Sequence, residues 1–146
     1  MVLEQAQRLQ PDIILCVGQA GGRACVTPEV VGINLREARI PDNAGFQPQN
    51  VPVVPDGPAA YFATVPVREM VDAIRNAGLP ASLSYSAGAF VCNDVLYTVL
   101  HNCDGTNVKA GFIHVPFLPE QAKEGVPSMP LEDIVTALSK AIDVMH

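Results

Sequence analysis

The sequence predicts an α/β protein, a three-layer α/β/α sandwich around a largely parallel, mixed central sheet. Three observations carry that reading. Continuous apolar runs at residues 12–18 and 111–115 have the composition of strands buried on both faces of a parallel sheet. Residues 67–77, 89–102 and a segment beginning at Pro130 carry apolar side chains at helical spacing. The 13 Pro and 11 Gly cluster between these periodic segments, which implies long structured loops.

In chain order, residues 1–10 read as the end of a helix stopped by Pro11. Strand 12–18 leads into a Gly-rich loop, followed by a weaker strand at 30–34. Residues 36–58 are loop-like, rich in Pro, Asn and Asp. The helix at 67–77 presents Val67, Met70, Val71 and Ile74 as its stripe, with Gly78 to cap it and Pro80 to bar continuation. An alternating strand at 82–86, a small-residue turn and a helix at 89–102 follow, the helix marked by Val91, Val95, Val99 and Cys103. Pro116 ends strand 111–115, and the last helix carries Leu131, Ile134, Val135, Leu138, Ile142 and Met145 on one face. The 146 residues, 49% hydrophobic, supply a core for one domain spanning 1–146. A chain that opens in mid-helix and then enters a buried strand reads as a domain lacking its N-terminal part.

Composition removes several function classes. A net charge of −6 disfavours nucleic acid and anionic membranes as partners. No apolar run approaches a membrane span, and the first residues lack the basic start of a signal peptide. The four cysteines, at 16, 25, 92 and 103, form no CxxC and have no close His spacing, against both a zinc site and a disulfide framework. A reducing, cytoplasmic setting fits this usage. A thiol redox domain would need paired cysteines, and a nucleotide-binding domain a phosphate-binding lysine near the Gly-rich loop; the sequence offers neither.

Chemistry concentrates at Ser86-Ala-Gly-Ala-Phe-Val-Cys-Asn-Asp94, where a strand pattern gives way to a helix. Cys92 falls in the first helical turn, where unpaired N–H groups and the helix dipole favour an anion. That makes it a candidate nucleophile, and equally an ordinary place for a small core residue. Of the three histidines, His146 is terminal and His101 lies late in the same helix, more than about 10 Å away at roughly 1.5 Å per residue. His114, at the end of a neighbouring strand, is the histidine able to meet Cys92; the competing reading is a core histidine bonded to backbone. Glu29 reads alone as a solvated carboxylate, and Arg39 with Asp42 as a salt-bridged loop pair. Cys16 and Cys103 sit on apolar faces as inert core cysteines, while Cys25 lies in a polar loop.

Five motifs occur in order: Gly18-Gln-Ala-Gly-Gly-Arg23, Thr27-Pro-Glu29, Ala38-Arg-Ile-Pro-Asp-Asn43, Ser86-Ala-Gly-Ala-Phe-Val-Cys-Asn93 and Gly111-Phe-Ile-His-Val-Pro116. From about Gln10 to the C-terminal helix the chain resembles the pyrrolidone carboxyl peptidases, or type I pyroglutamyl peptidases. The resemblance implies a cysteine exopeptidase that removes an N-terminal pyroglutamyl residue from peptides, without metal or organic cofactor. It implies Cys92 as nucleophile, His114 as base, Glu29 as the orienting carboxylate, and Arg39 with Asp42 as support around the oxyanion. Gln19, Ile40, Phe90 and Val91 match positions near the lactam ring. It also implies a homo-oligomer, a tetramer by resemblance. The Gly-Phe-x-Pro-Phe loop that opens family members has no counterpart here, so the alternative is a weakly active or inactive remnant of the fold that mainly self-associates.

Overall fold

The computed structural model describes residues 2–41 and 43–145. Helix α1 (Val2–Leu9) ends before Pro11, and the chain passes into β1 (Ile13–Gln19). The Gly-rich loop leads to the two-residue β2 (Thr27–Pro28) and then to β3 (Val31–Ile33). After a long loop come β4 (Ala60–Phe62), α2 (Val67–Asn76), α3 (Val91–Cys103) and β5 (Lys109–Val115). A single 3-10 turn at Pro119–Gln121 precedes α4 (Leu131–Ile142).

The main sheet has the order β1-β5-β2. β1 runs parallel to β5, with Ile13 opposite Lys109 and Gly18 opposite His114. β2 is antiparallel on the other edge of β5, with Thr27 opposite His114, so the sheet is mixed. β3 and β4 form a separate antiparallel pair against α3.

Side chains alternate along β5, and each face of the sheet has its own core. Ile113 and Val115 pack with Met70 and Ile74 of α2 and with Ala137 and Ala141 of α4. Ala110 and Phe112 pack on the opposite face with Leu96, Val99 and Leu100 of α3. Two apolar cores on opposite faces of one sheet make the three layers. At about 25 cal/mol per Å² of apolar surface removed from water, these contacts are the main favourable contribution to stability.

The strand expected at 82–86 does not form. The segment instead lies beside β2 through two isolated parallel bridges, Val26 to Ala81 and Glu29 to Ser84, because β2 offers only two residues of partner. β1 is not buried on both faces: among the described residues only β5 pairs with it, and Val17 is 49% exposed. An open groove of about 410 Å³, lined by residues such as Val2, Leu9, Leu15 and Cys16, runs between α1 and β1. The expected apolar face of α4 is only partly covered. Ile134, Ala137 and Ala141 are buried, whereas Leu131, Val135 and Ile142 are exposed. The helix is rotated so that Ile134, Ala137 and Ala141 face the core, which leaves Leu131, Val135 and Ile142 on its outer side. Helix α3 begins at Val91, not 89, since Gly88 and Ala89 still belong to the turn.

Candidate active site

β5 delivers His114, 4% exposed, between Gly18 of β1 and Thr27 of β2. With a period of two residues, Glu29 falls on the same face as Thr27 and therefore beside His114. Its backbone N–H donates to the Phe112 carbonyl at 2.9 Å, which fixes the carboxylate's approach. His114 Nδ1 lies 2.6 Å from Glu29 Oε1, a buried contact. With Nδ1–H donating to the carboxylate, Nε2 is the edge left for proton exchange.

Cys92 comes from the other side, on the first turn of α3. The turn before it needs Gly88, whose φ of +77° lies in the left-handed region, and the Gly88 N–H donates to Ser86 Oγ at 3.2 Å. Phe90 then takes extended backbone as the N-cap and contributes no side-chain cap, leaving the first N–H groups of α3 without one. Cys92 lies beside His114, near enough for its side chain to favour the imidazolium form. Its Sγ packs against the backbone of Gly18, where an added Cβ would sit 3.3 Å from the sulfur and 2.7 Å from the Phe112 ring.

Two polar contacts hold the first turn of α3. Buried Asn93 accepts from the Ile33 N–H at 2.9 Å, and its amide donates to the carbonyls of Ile33 at 2.9 Å and Leu35 at 3.1 Å. Arg36 forks onto both carboxylate oxygens of Asp94, at 2.8 and 2.9 Å.

Arg23, from the Gly-rich loop, completes the cluster. Its Nη1 donates to Glu29 Oε1 at 2.8 Å and to Thr27 Oγ1, and its Nη2 donates to the Ser86 carbonyl at 3.2 Å. Glu29 Oε2 makes no hydrogen bond in this arrangement; the Ser84 hydroxyl, here donating to the Ser86 carbonyl, is still close enough to favour the carboxylate. Burial opposes the charge on Glu29. The hydrogen bond from His114, the nearby Ser84 hydroxyl, and the charge and hydrogen bond of Arg23 outweigh it and hold Glu29 below the ordinary carboxylate range. Burial likewise opposes a charged His114, yet the polar side chains of Cys92 and Glu29 beside it favour the imidazolium and raise its pKa above the usual 6.5.

The structure thus brings Cys92, His114 and Glu29 together. Gln19 lies at the same sheet end and donates to Gln121 Oε1 at 2.5 Å. Phe90 and Val91 border a cleft of about 250 Å³ with Arg36, Phe46, Pro48 and Asp94. Arg39 and Ile40 stand exposed on the long loop, and the cation that touches the Glu29–His114 pair is Arg23. Asp42 and His146 lie outside the described residues. His101 is occupied elsewhere, 2.9 Å from the Tyr61 hydroxyl and stacked on Tyr97. Burial raises the pKa of both Cys16 and Cys103, although both are only part-buried at the edge of a core and not enclosed in it as expected. Cys25 is half-buried, its Sγ 3.3 Å from Ser82 Oγ.

The sequence reading did not single out Arg23 or Asn93. Arg23 stands inside the Gly-rich motif, and Asn93 is a polar residue on the buried side of an apolar helix, which is the signal that marks it. Among the described residues, no three His, Cys, Asp or Glu side chains gather as a metal site would require.

Comparison with known proteins gives consistent results. The family model described as pyroglutamyl peptidase matches residues 1–146. The chain is 53% identical over 139 residues to pyrrolidone-carboxylate peptidase 2 of Photorhabdus laumondii, covering 92% of this chain and 64% of that protein. It is 54% identical over 137 residues to the pyrrolidone-carboxylate peptidase of Levilactobacillus brevis, covering 91% of this chain and 67% of that one. The fold superimposes on the crystal structure of pyroglutamyl peptidase I from Bacillus amyloliquefaciens with a TM-score of 0.95 at 45% identity, over 99% of this chain and 70% of that one. For pyrrolidone carboxyl peptidase from Thermococcus litoralis the TM-score is 0.94 at 38% identity, over 99% and 70%. The chain therefore spans about two thirds of the length of the proteins it matches.

Proposed function

Because the chain belongs to the pyroglutamyl peptidase family, we propose that it is a cysteine exopeptidase that hydrolyses the bond after an N-terminal pyroglutamyl residue. The observation that carries this reading is the buried His114, placed between the Glu29 carboxylate at 2.6 Å and the Cys92 thiol. That arrangement is what nucleophilic cysteine catalysis requires: a thiol, a base beside it and a group that orients the base.

In this mechanism His114 Nε2 takes the Cys92 proton, and Glu29 holds the ring and offsets the imidazolium charge. The thiolate attacks the pyroglutamyl carbonyl, forming the C–S bond as the carbonyl electrons move onto oxygen. The backbone N–H of Cys92, at the start of α3, is a donor suited to that oxyanion, with Arg39 and Asp42 proposed as support. Collapse breaks the C–N bond, and the imidazolium gives its proton to the departing amine. Water, deprotonated by His114, then cleaves the thioester and releases free pyroglutamate. Gln19, Ile40, Phe90 and Val91 are assigned to the lactam ring. Assembly as a homo-oligomer fits the exposed Val17 on β1 and the exposed Leu131, Val135 and Ile142 on α4. A cytoplasmic location fits the four free cysteines.

The test is hydrolysis of a pyroglutamyl-linked chromogenic amide by the chain and by Cys92→Ser. The nearly isosteric change should leave folding intact and lower turnover by several orders of magnitude, because the residues act as a unit. Near-normal turnover by Cys92→Ser, with loss in Cys16→Ser or Cys25→Ser, would overturn the assignment. A folded parent chain without turnover would favour the non-catalytic alternative.

A further inference from the structure

Arg23 is the cation in contact with the Glu29–His114 pair, and it has a second attachment. One guanidinium nitrogen meets Glu29 Oε1 and Thr27 Oγ1, while the other meets the carbonyl of Ser86, six residues before the nucleophile. Thr27 in turn donates from its hydroxyl to the carbonyl of His114 at 3.4 Å. The base and its carboxylate sit on β5 and at the end of β2, whereas Cys92 sits on α3 behind a turn built around Gly88. Within the sheet, backbone hydrogen bonds fix Glu29 relative to His114. Backbone bonds tie Ser84 to Pro28 and Val30, so what the backbone leaves unspanned is the short step from Ser84 to the Ser86 carbonyl and the turn that follows it. The rigid fork of Arg23 spans that gap, with its side chain three-quarters buried.

We propose that Arg23 is a positioning residue for the peptidase reaction, holding the Glu29 carboxylate with one arm and the turn leading to Cys92 with the other. This rests on the function proposed above. The two arms are separable. The positive charge of Arg23 is one of the contributions that favour the Glu29 anion, and a lysine should supply that part. A single ammonium on a flexible stem cannot reproduce the planar fork to Glu29 and Ser86, so a lysine should not restore the tether.

The groups that face Glu29 are His114 from β5, Arg23 from the Gly-rich loop and Ser84 from the bridged segment, with Cys92 of α3 facing His114. Removing the cation should raise the pH at which Glu29 becomes protonated and releases His114.

The experiment compares the parent chain with Arg23→Gln and Arg23→Lys in three readouts. These are the ¹³C-imidazole titration of His114 by NMR, the rate of Cys92 alkylation by iodoacetamide, and the kcat and KM for a pyroglutamyl amide. In Arg23→Gln the acid limb of the His114 titration should move up, and kcat should fall about 10- to 100-fold with KM within about twofold. In Arg23→Lys the acid limb should return toward the parent, while Cys92 alkylation and kcat remain altered. A merely structural arginine would give the same loss in both variants, tracking thermal stability, and that result would overturn the proposal. So would an unchanged acid limb with unchanged alkylation in a folded Arg23→Gln. Should Arg23→Gln fail to fold, Arg23→Lys alone decides: parent-like values in every readout refute the tether. A parent chain without turnover would sink the peptidase reading, yet the NMR and alkylation readouts would still decide whether Arg23 positions Glu29 and Cys92.

Discussion

Glu29 is fully buried and still favours its ionised form, and the reason lies entirely in its neighbours. An isolated buried carboxylate would take up a proton to avoid the desolvation cost. Here Oε1 accepts from both His114 and Arg23, so charge and hydrogen bonds act together. This has a consequence for stability against pH. Glu29, held beneath 4.5, contributes stability that is present above 4.5 and lost as the pH falls through its lower folded value. His114, raised above 6.5, contributes stability that is fully present below 6.5 and lost as the pH rises through its higher folded value. The pair therefore stabilises most between those limits. Urea unfolding of the wild type and of His114→Gln should show the larger difference at about pH 5.5 and a smaller one at about pH 9. A difference that grew toward alkaline pH would contradict the assigned directions. The sequence alone makes Glu29 look like surface, because burial of a carboxylate depends on a partner 85 positions away. Only the resemblance of Thr27-Pro-Glu29 to a known motif set it apart.

At the scale of elements, α3 matters most, because it fixes where Cys92 stands. Its apolar spacing was legible, and the observed Val91–Cys103 differs from expectation by a residue or two at each end. What periodicity could not show is how the helix docks. Asn93 makes three hydrogen bonds to the backbone of β3 and the residue pair after it, and it is essentially inaccessible. Asn93→Ala would leave those backbone groups unpaired in a buried place, at a cost of about 1–3 kcal/mol. The Arg36–Asp94 pair is about one-third exposed at each partner, so Arg36→Met should cost less than about 1 kcal/mol despite its two-pronged geometry. Chemical denaturation of both variants checks the ordering, and a larger loss for Arg36→Met would show that the ion pair, not the amide, anchors α3. The absence of a strand at 82–86 has a similar origin. Alternation of apolar and polar residues states which faces a segment would present, but a strand also needs a partner of its own length, and β2 is two residues long.

Across the whole molecule, the two apolar runs that predicted the fold have different fates. Residues 12–18 and 111–115 look alike in composition, and both become strands of one parallel pair. Yet β5 is bonded on both edges and buried nearly throughout, while β1 is bonded on one edge and half-exposed. A continuous apolar run states that a strand can be buried on both faces; it does not state how many strands flank it. That difference should appear as an ordering of local stability. Opening β5 requires breaking ladders to both β1 and β2 and uncovering both cores, so its amides should exchange with solvent only through global unfolding. Opening β1 breaks one ladder and exposes less new apolar surface. The segment at 81–84 is held by isolated bridges and should open most easily of the three. Hydrogen exchange followed by NMR or mass spectrometry should therefore rank protection as β5 above β1 above 81–84. Protection of β1 equal to that of β5 would mean that the open edge of β1 is covered in solution, and the ordering derived from the sheet would be wrong.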